Sequence, residues 1–299
     1  MNLKASAWLS TALGLFASTF GIACSGNAKT AKTDTTVASS ESQRVRLYTL
    51  DCGHFDVTDM GFFSADGKPT GQGERMPVPC FVIRHPKGVL LWDTGLKDST
   101  AQSKEGVKDL VGREFMDIPL SEQLKALSLG PSDITFLGLS HLHADHAGNA
   151  NQFTSSTWLL NRREFENGTK TPPPLGIDPS VFSEYRKANI KLLDADYDVF
   201  GDGSVRILQT PGHTPGHQSL EVRLANSGTI ILSGDLAHSR ANWKGHVAPS
   251  WSFDRPQTQA SMEHIEGLIR TDHARLVVQH DPEDFASMRR SSAPPAFLD

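Results

Sequence analysis

The stretch "SHLHADHAGN", Ser140 to Asn149, places His141, His143, Asp145 and His146 within six positions, directly after the apolar run "ITFLGL". A buried strand ending here delivers imidazoles at i and i+2 to one side of a loop, where they converge on one ion. Asp145 and His146 turn toward a second. Single histidines more often cap a helix or fill a polar loop, but four ligand-type residues in six positions outweigh that reading.

A metal site of this kind needs further ligands, also at strand ends, and the chain offers three. "QTPGHTPGH" places His213 after the strand "SVRILQT", "IILSGDLAH" places Asp235 after another, and "RLVVQH" ends a third in His280. The set divides into His141, His143 and His213 on one ion and Asp145, His146 and His280 on the other, with Asp235 bridging. No thiolate takes part. The N/O donor set suits two divalent ions, Zn²⁺ foremost, with Fe, Mn or Co as substitutes.

The runs "VRLYTL", "CFVIR" and "GVLLWDTG" read as an early strand meander. "TWLLN", "KLLD", "SVRILQT", "HQSLEVRL", "TIILSGD" and "RLVVQH" read as later strands. Helices are expected over "PLSEQLKALSLG", with Ser121 as cap and Leu124, Leu127 and Leu129 as its stripe, and over "DRPQTQASMEHIEGLIRT", with Pro256 near the first turn. Strands at both ends, helices between them and polar residues at strand ends predict an α/β sandwich with one core and no second domain boundary. The Gly-rich segment between the first two strands reads as a functional loop carrying Met60, Phe62 and Phe63 outward.

Of the 299 residues, 38% are hydrophobic and 21% charged, a globular composition. Residues 6–23, "SAWLSTALGLFASTFGIA", follow Lys4 as an uncharged, mostly apolar or small-residue run, so residues 1–23 read as a signal peptide. The ending Ala23-Cys24-Ser25 and the polar stretch behind it resemble a bacterial lipobox and tether, with Gly21 where such boxes prefer Leu. That implies export, to the periplasm or to a membrane through a lipid anchor at Cys24. Residues 24–43 are then a flexible linker and 44–299 the folded domain. Removing residues 1–23 takes away Lys4 alone and changes the formal net charge of -5 to -6, a poor surface for phosphate backbones; nucleic-acid binding is not expected. Cys52 and Cys80 then remain. They pair in an oxidising compartment, or serve as two buried small hydrophobes.

The ordered set "HLHADH", "PGHTPGH", "SGD" and the late "QH" resembles the metallo-β-lactamase fold in its binuclear hydrolase branch, over about residues 44–290. The resemblance implies an αββα sandwich, two mixed sheets flanked by helices, with the metals at one edge. Within that superfamily "PVPCFVIRHPKGVLLWDTGL", "SHLHADHAGN" and "TPGHTPGHQSL" are similar to the N-acyl homoserine lactonases, quorum-quenching enzymes that open a lactone ring. A metal-bridging hydroxide would then attack the ester carbonyl, with Asp145 passing a proton to the leaving ring oxygen. Lactonases commonly carry a tyrosine three residues after the bridging aspartate. Here that position is His238, expected to donate a hydrogen bond in its place or to be an imidazole at the surface or behind the ligands.

Glyoxalase-II-like thioesterases and organophosphate hydrolases share the ligand set and stand as alternatives; a metal-carrying lipoprotein without turnover is a third. Asp93, in "WDTG", is expected to support the ligands, and His217 to orient its loop rather than bind metal. His54, His85, His246, His264 and His273 read as surface or loop residues. Trp243, Trp251 and Phe253 read as core by default, or as walls of an acyl-chain pocket with Met60, Phe62 and Phe63. The partner is a small lactone or ester; oligomeric state is not legible.

Overall fold

A computed structural model describes residues 44–288 and 297–299 of the protein. The leader, the tether and Cys24 lie outside the described residues.

Alternation of side chains decides the architecture. Strand β2 (Glu74–His85) sends Phe81 and Ile83 to one face and Cys80 and Val82 to the other, as the two-residue period of a strand requires. It pairs antiparallel with β1 (Arg46–Val57) and with β3 (Gly88–Trp92). Beyond β3 the sheet continues in parallel through β6 (Phe136–Gly138), β7 (Thr157–Asn161) and β8 (Asn189–Leu193). Its other edge is built by β4 (Val107–Lys108) and β5 (Gly112–Phe115) on the far half of β1. The second sheet runs β9 (Tyr197–Asp198), β10 (Val205–Gln209), β11 (Gln218–Leu224), β12 (Gly228–Leu232) and β13 (Arg275–Val277), antiparallel except for the β12–β13 pair. A last strand, β14 (Phe297–Leu298), returns to β1.

Phe81, Ile83, Leu90 and Trp92 of the first sheet meet Ile207, Leu220, Val222, Ile230 and Leu232 of the second in a shared buried layer. Each such side chain contributes roughly 1.5–3 kcal/mol on full burial. The outer face of the first sheet packs Cys80, Val82, Leu91 and Leu137 against Leu120 and Leu124 of α1 (Leu120–Ala126). The outer face of the second packs Leu208, Ile231 and Leu276 against Met262 and Ile265 of α5 (Arg255–Asp272). The order helix, sheet, sheet, helix follows: the αββα sandwich expected from the sequence. The shorter helices are α2 (Ala144–Ala147), α3 (Arg162–Gly168), α4 (Arg240–Lys244) and α6 (Pro282–Met288).

Local signals account for the helix ends. Asp254 accepts a hydrogen bond from the Gln257 N–H, Pro256 occupies the first turn of α5, and Thr258, Ser261, Met262 and Ile265 form its buried face. Ser121 does not cap α1: the helix begins one residue earlier, after Pro119, and Ser121 lies within it. Its first-turn N–H groups are met from elsewhere, Leu120 and Ser121 donating to the Asp98 carboxylate.

Cys52 and Cys80 are both buried and joined in a disulfide across β1 and β2. The segment after β1 is shorter than the sequence suggests, because β1 continues through Val57 and a 3-10 turn follows at Met60–Phe63. Phe63 is buried rather than turned outward.

Candidate metal centre

The ligands stand where strands end. After β6 the chain passes through Leu139 and Ser140 to His141; after β12, through Ser233 and Gly234 to Asp235; after β13, through Val278 and Gln279 to His280. Gly234 has φ 58°, and a Cβ there would meet His217 Nε2 at 2.6 Å, so the turn that presents Asp235 needs glycine. His143 occupies the N-cap position of α2, but its side chain makes no capping hydrogen bond. The bland reading of this histidine, as a helix cap, therefore fails. Asp145 and His146 sit in the single turn of α2 that follows.

Two groups form: His141, His143, His213 and Asp235, and Asp145, His146 and His280, the ligand atoms of each lying within 4.8 Å of one another. His213 Nε2 is 3.3 Å from His141 Nε2 and 3.1 Å from His143 Nδ1. His280 Nε2 is 3.3 Å from His146 Nε2 and 3.7 Å from an Asp145 oxygen. Asp235 divides its oxygens: Oδ1 lies 3.0 Å from His280 Nε2 and 3.2 Å from His146 Nε2, Oδ2 3.4 Å from His213 Nε2 and 3.7 Å from His141 Nε2. It reaches both groups, as a bridging residue must.

The donor set fits two divalent cations. Buried imidazole nitrogens are turned toward one another at close range, and Asp235 Oδ1 is fully buried with no hydrogen-bond partner. Such an arrangement is unfavourable by itself and favourable around a cation.

Electrostatics differ between the groups. Burial, followed by the neighbouring imidazoles, holds the pKa of His141 well below its ordinary value; burial also pushes His213 well below it and His143 down to about 4. These rings are neutral, with lone pairs available. Burial opposes charge on His146 and His280 too, but there Asp235 and Asp145 outweigh it, joined by Asp93 at His146, and both pKa values rise. Burial likewise opposes charge on Asp235, yet His146, His280 and His238 hold its carboxyl well below the usual range.

Behind the ligands lies a hydrogen-bonded layer. Asp93 receives the Ser140 N–H at 2.7 Å, the Ser140 hydroxyl at 2.9 Å and the Gln279 amide at 2.8 Å, and stands 2.9 Å from His146 Nδ1. His280 Nδ1 donates to the Pro77 carbonyl at 2.7 Å. His217 Nδ1 donates to the Thr210 carbonyl, leaving Nε2 to accept the Asp235 N–H at 2.8 Å. It is an orienting residue, as expected, and Asp93 a supporting one. Ser140, Gln279 and Glu164 are not legible in the sequence. Glu164 accepts the Leu142 and Gly216 N–H groups, both at 3.0 Å, and so ties the first ligand loop to the loop of His213. No sequence signal sets Glu164 apart from Glu166 in "RREFENG".

A cavity of about 670 Å³ opens over the ligands, with His143, Asp145, Asp235, His238 and His280 at its floor and Phe62, Phe63 and Trp251 in its wall. Met60 does not line it; it packs against the hydrophobic cluster behind. Trp243 belongs to the core and Phe253 is exposed outside the cavity. The Trp251 indole N–H donates to the Phe62 carbonyl at 2.9 Å, and its ring lies 5.2 Å from Phe62 and from His213. His238 is buried, its ring 4.8 Å from Phe63, with Nε2 3.3 Å from Asp235 Oδ2 and neither nitrogen hydrogen-bonded. The His85 side chain is 4% exposed, stacked on Phe200 and 2.9 Å from Asp202, and that of His54 is 14% exposed, so these two are packed in β2 and β1 rather than at the surface.

Comparison with known proteins agrees with this geometry. Residues 73–280 match the model of the metallo-beta-lactamase superfamily. The chain is 31% identical over 268 residues to the N-acyl homoserine lactonase AttM of Azorhizobium caulinodans, covering 85% of this chain and 99% of that one. It is 30% identical over 257 residues to the N-acyl homoserine lactonase AiiA of Bacillus thuringiensis subsp. kurstaki, covering 82% and 96%. Among solved structures it superposes on an N-acyl homoserine lactone hydrolase with N-hexanoyl-L-homoserine bound at the catalytic metal centre. The TM-score is 0.74 at 25% identity, covering 86% of this chain and 100% of that one. With its ligand order, its sandwich and these relatives in agreement, the chain belongs to the metallo-beta-lactamase superfamily and, within it, to the N-acyl homoserine lactonases.

Proposed function

We propose that this protein is a metal-dependent hydrolase that opens the ring of N-acyl homoserine lactones. The observation that carries the reading is the two-sided placement of Asp235 between the ligand groups, directly beneath an apolar-walled cavity. Relatives named for that activity along most of their length support it.

His141, His143 and His213 would hold one ion and Asp145, His146 and His280 the other, with one Asp235 oxygen toward each; zinc suits this set. When bound, divalent ions of this kind lower the pKa of water and polarise a carbonyl. The chain's own residues supply the rest. Phe62, Phe63 and Trp251 seat the acyl tail and exclude bulk water. Asp145, its side chain 18% exposed, takes up the proton lost by the attacking water and returns it to the ring oxygen as the C–O bond breaks. His238, buried at the floor with both nitrogens free, donates a hydrogen bond to the substrate carbonyl. One water enters and one acyl homoserine leaves.

The chain is further proposed to be exported, to the periplasm or to a membrane through a lipid on Cys24. The Cys52–Cys80 disulfide supports an oxidising compartment. Mass spectrometry of the mature N-terminus tests this: a lipidated Cys24 is expected, and an unprocessed terminus contradicts export. For the activity, metal-loaded protein is assayed with short- and long-chain acyl homoserine lactones, a glutathione thioester and a phosphotriester. The lactones are expected to turn over fastest; negligible lactone opening beside fast turnover of another ester would refute the reading.

A further inference from the structure

The cavity wall carries one group that neither the ligand shell nor the packing uses. Strand β5 lies between β1 and β4, so that Glu114 stands opposite Phe55 on one side and Val107 on the other. All three line the cavity. Phe55 and Val107 suit an apolar tail, but a carboxyl group between them does not. Among the described residues nothing hydrogen-bonds to it or pairs with it at contact distance. Burial, with repulsion from Asp109 and Asp145, pushes its pKa up to about 7, and Lys97 offsets this only in part. The side chain is half-buried, and a group partly withdrawn from water without a protein partner gains when a bound molecule supplies one.

Position indicates which partner. Glu114 lines the same cavity as Asp145 and His280 of the floor, while its strand neighbours Phe55 and Val107 belong to the apolar wall. An N-acyl homoserine lactone with its ring on the floor and its tail on the wall sets its amide at that junction. The amide N–H is a strong donor, and a carboxyl oxygen is an acceptor in either protonation state. We propose that Glu114 accepts a hydrogen bond from the substrate amide N–H and so selects N-acyl homoserine lactones over lactones of similar length that have no amide. The assignment rests on the lactonase reading above.

Metal-loaded wild-type protein, Glu114→Leu and Glu114→Gln are assayed with an N-acyl homoserine lactone and with an aliphatic γ-lactone of matching length. The readout is the ratio of kcat/KM for the two substrates. In Glu114→Leu the ratio falls about ten-fold, chiefly through KM of the amide substrate, as loss of one hydrogen bond to a carboxylate predicts. Glu114→Gln, which keeps an acceptor oxygen, retains most of the ratio. An unchanged ratio in Glu114→Leu, or equal loss on both substrates, overturns the assignment while leaving the lactonase reading intact. Wild-type protein that opens neither lactone overturns both.

Discussion

The floor and the wall of the cavity are built by different means. Several of the metal ligands are held by a hydrogen bond from behind: Asp93 at His146, the Pro77 carbonyl at His280, the His217 ring at the Asp235 N–H. The wall is held mainly by ring packing and by one half-buried carboxylate. Phe62 and Phe63 ride on a segment whose turns close on Asp59, which accepts the N–H groups of Gly61, Thr70 and Gly71, each at 2.8 Å. The difference teaches that the metal ligands are held by a hydrogen-bonded layer behind them, whereas part of the wall rides on a loop segment that can change without disturbing that layer.

Substitutions that separate floor from wall test this contrast. The largest effect is expected from Asp235→Asn, whose carboxylate faces both ligand groups: metal content drops at both and kcat/KM falls more than about a hundred-fold. Metal analysis beside lactone turnover checks it, and full metal content with ordinary turnover breaks the bridging assignment. Asp93→Asn touches no substrate, yet is expected to weaken metal affinity about 10- to 100-fold by releasing His146 and Ser140. Competition with a chelator measures that loss.

Acidification sharpens the contrast within the floor. His146 and His280, whose pKa values are raised, must give up protons to bind an ion, whereas His141, His143 and His213 are already neutral. Metal uptake is therefore expected to release protons chiefly from the group of His146 and His280. On lowering the pH the group of Asp145, His146 and His280 empties first, losing about ten-fold in affinity per pH unit for each displaced proton. Simultaneous loss from both groups would contradict it. In the metal-free fold the signs oppose: His143 stabilises above the ordinary value of 6.5 and loses this as pH falls to about 4. His146 and His280 stabilise below their ordinary value and lose this as pH rises through their raised ones.

Wall changes are smaller and leave the metal in place. Trp251→Ala should raise KM for long-chain substrates about ten-fold, through lost apolar contact, with metal content unchanged. Asp59→Ala should cost only a few-fold in KM, while limited proteolysis reports earlier cleavage between residues 59 and 72. Metal loss in either variant would mean that wall and floor are not separable.

The floor is legible in the sequence because metal ligation restricts residue types: few roles besides ligation call for His and Asp at this spacing on strand ends. The two-sheet sandwich is legible for a similar reason, since buried strands read as β-branched and aromatic runs. What stays hidden depends on three-dimensional neighbours. Ser140, Gln279 and Glu164 are ordinary polar residues whose roles come from segments distant in sequence. Met60 and Phe63 stand in the same short turn, yet one faces the packed cluster alone and the other also the cavity, a distinction set by the local path of the backbone. Cys52 and Cys80 admit two readings of equal merit until β1 and β2 stand side by side.

The central claim is that this floor opens a lactone with metal bound. Ring opening of an N-acyl homoserine lactone near neutral pH releases one proton, which a pH-stat follows directly. Steady proton release is expected from metal-loaded protein, with its loss after chelation, its return on adding Zn²⁺, and none from His143→Ala under any of these conditions. Proton release that persists through chelation, or that survives His143→Ala at the wild-type rate, would contradict it.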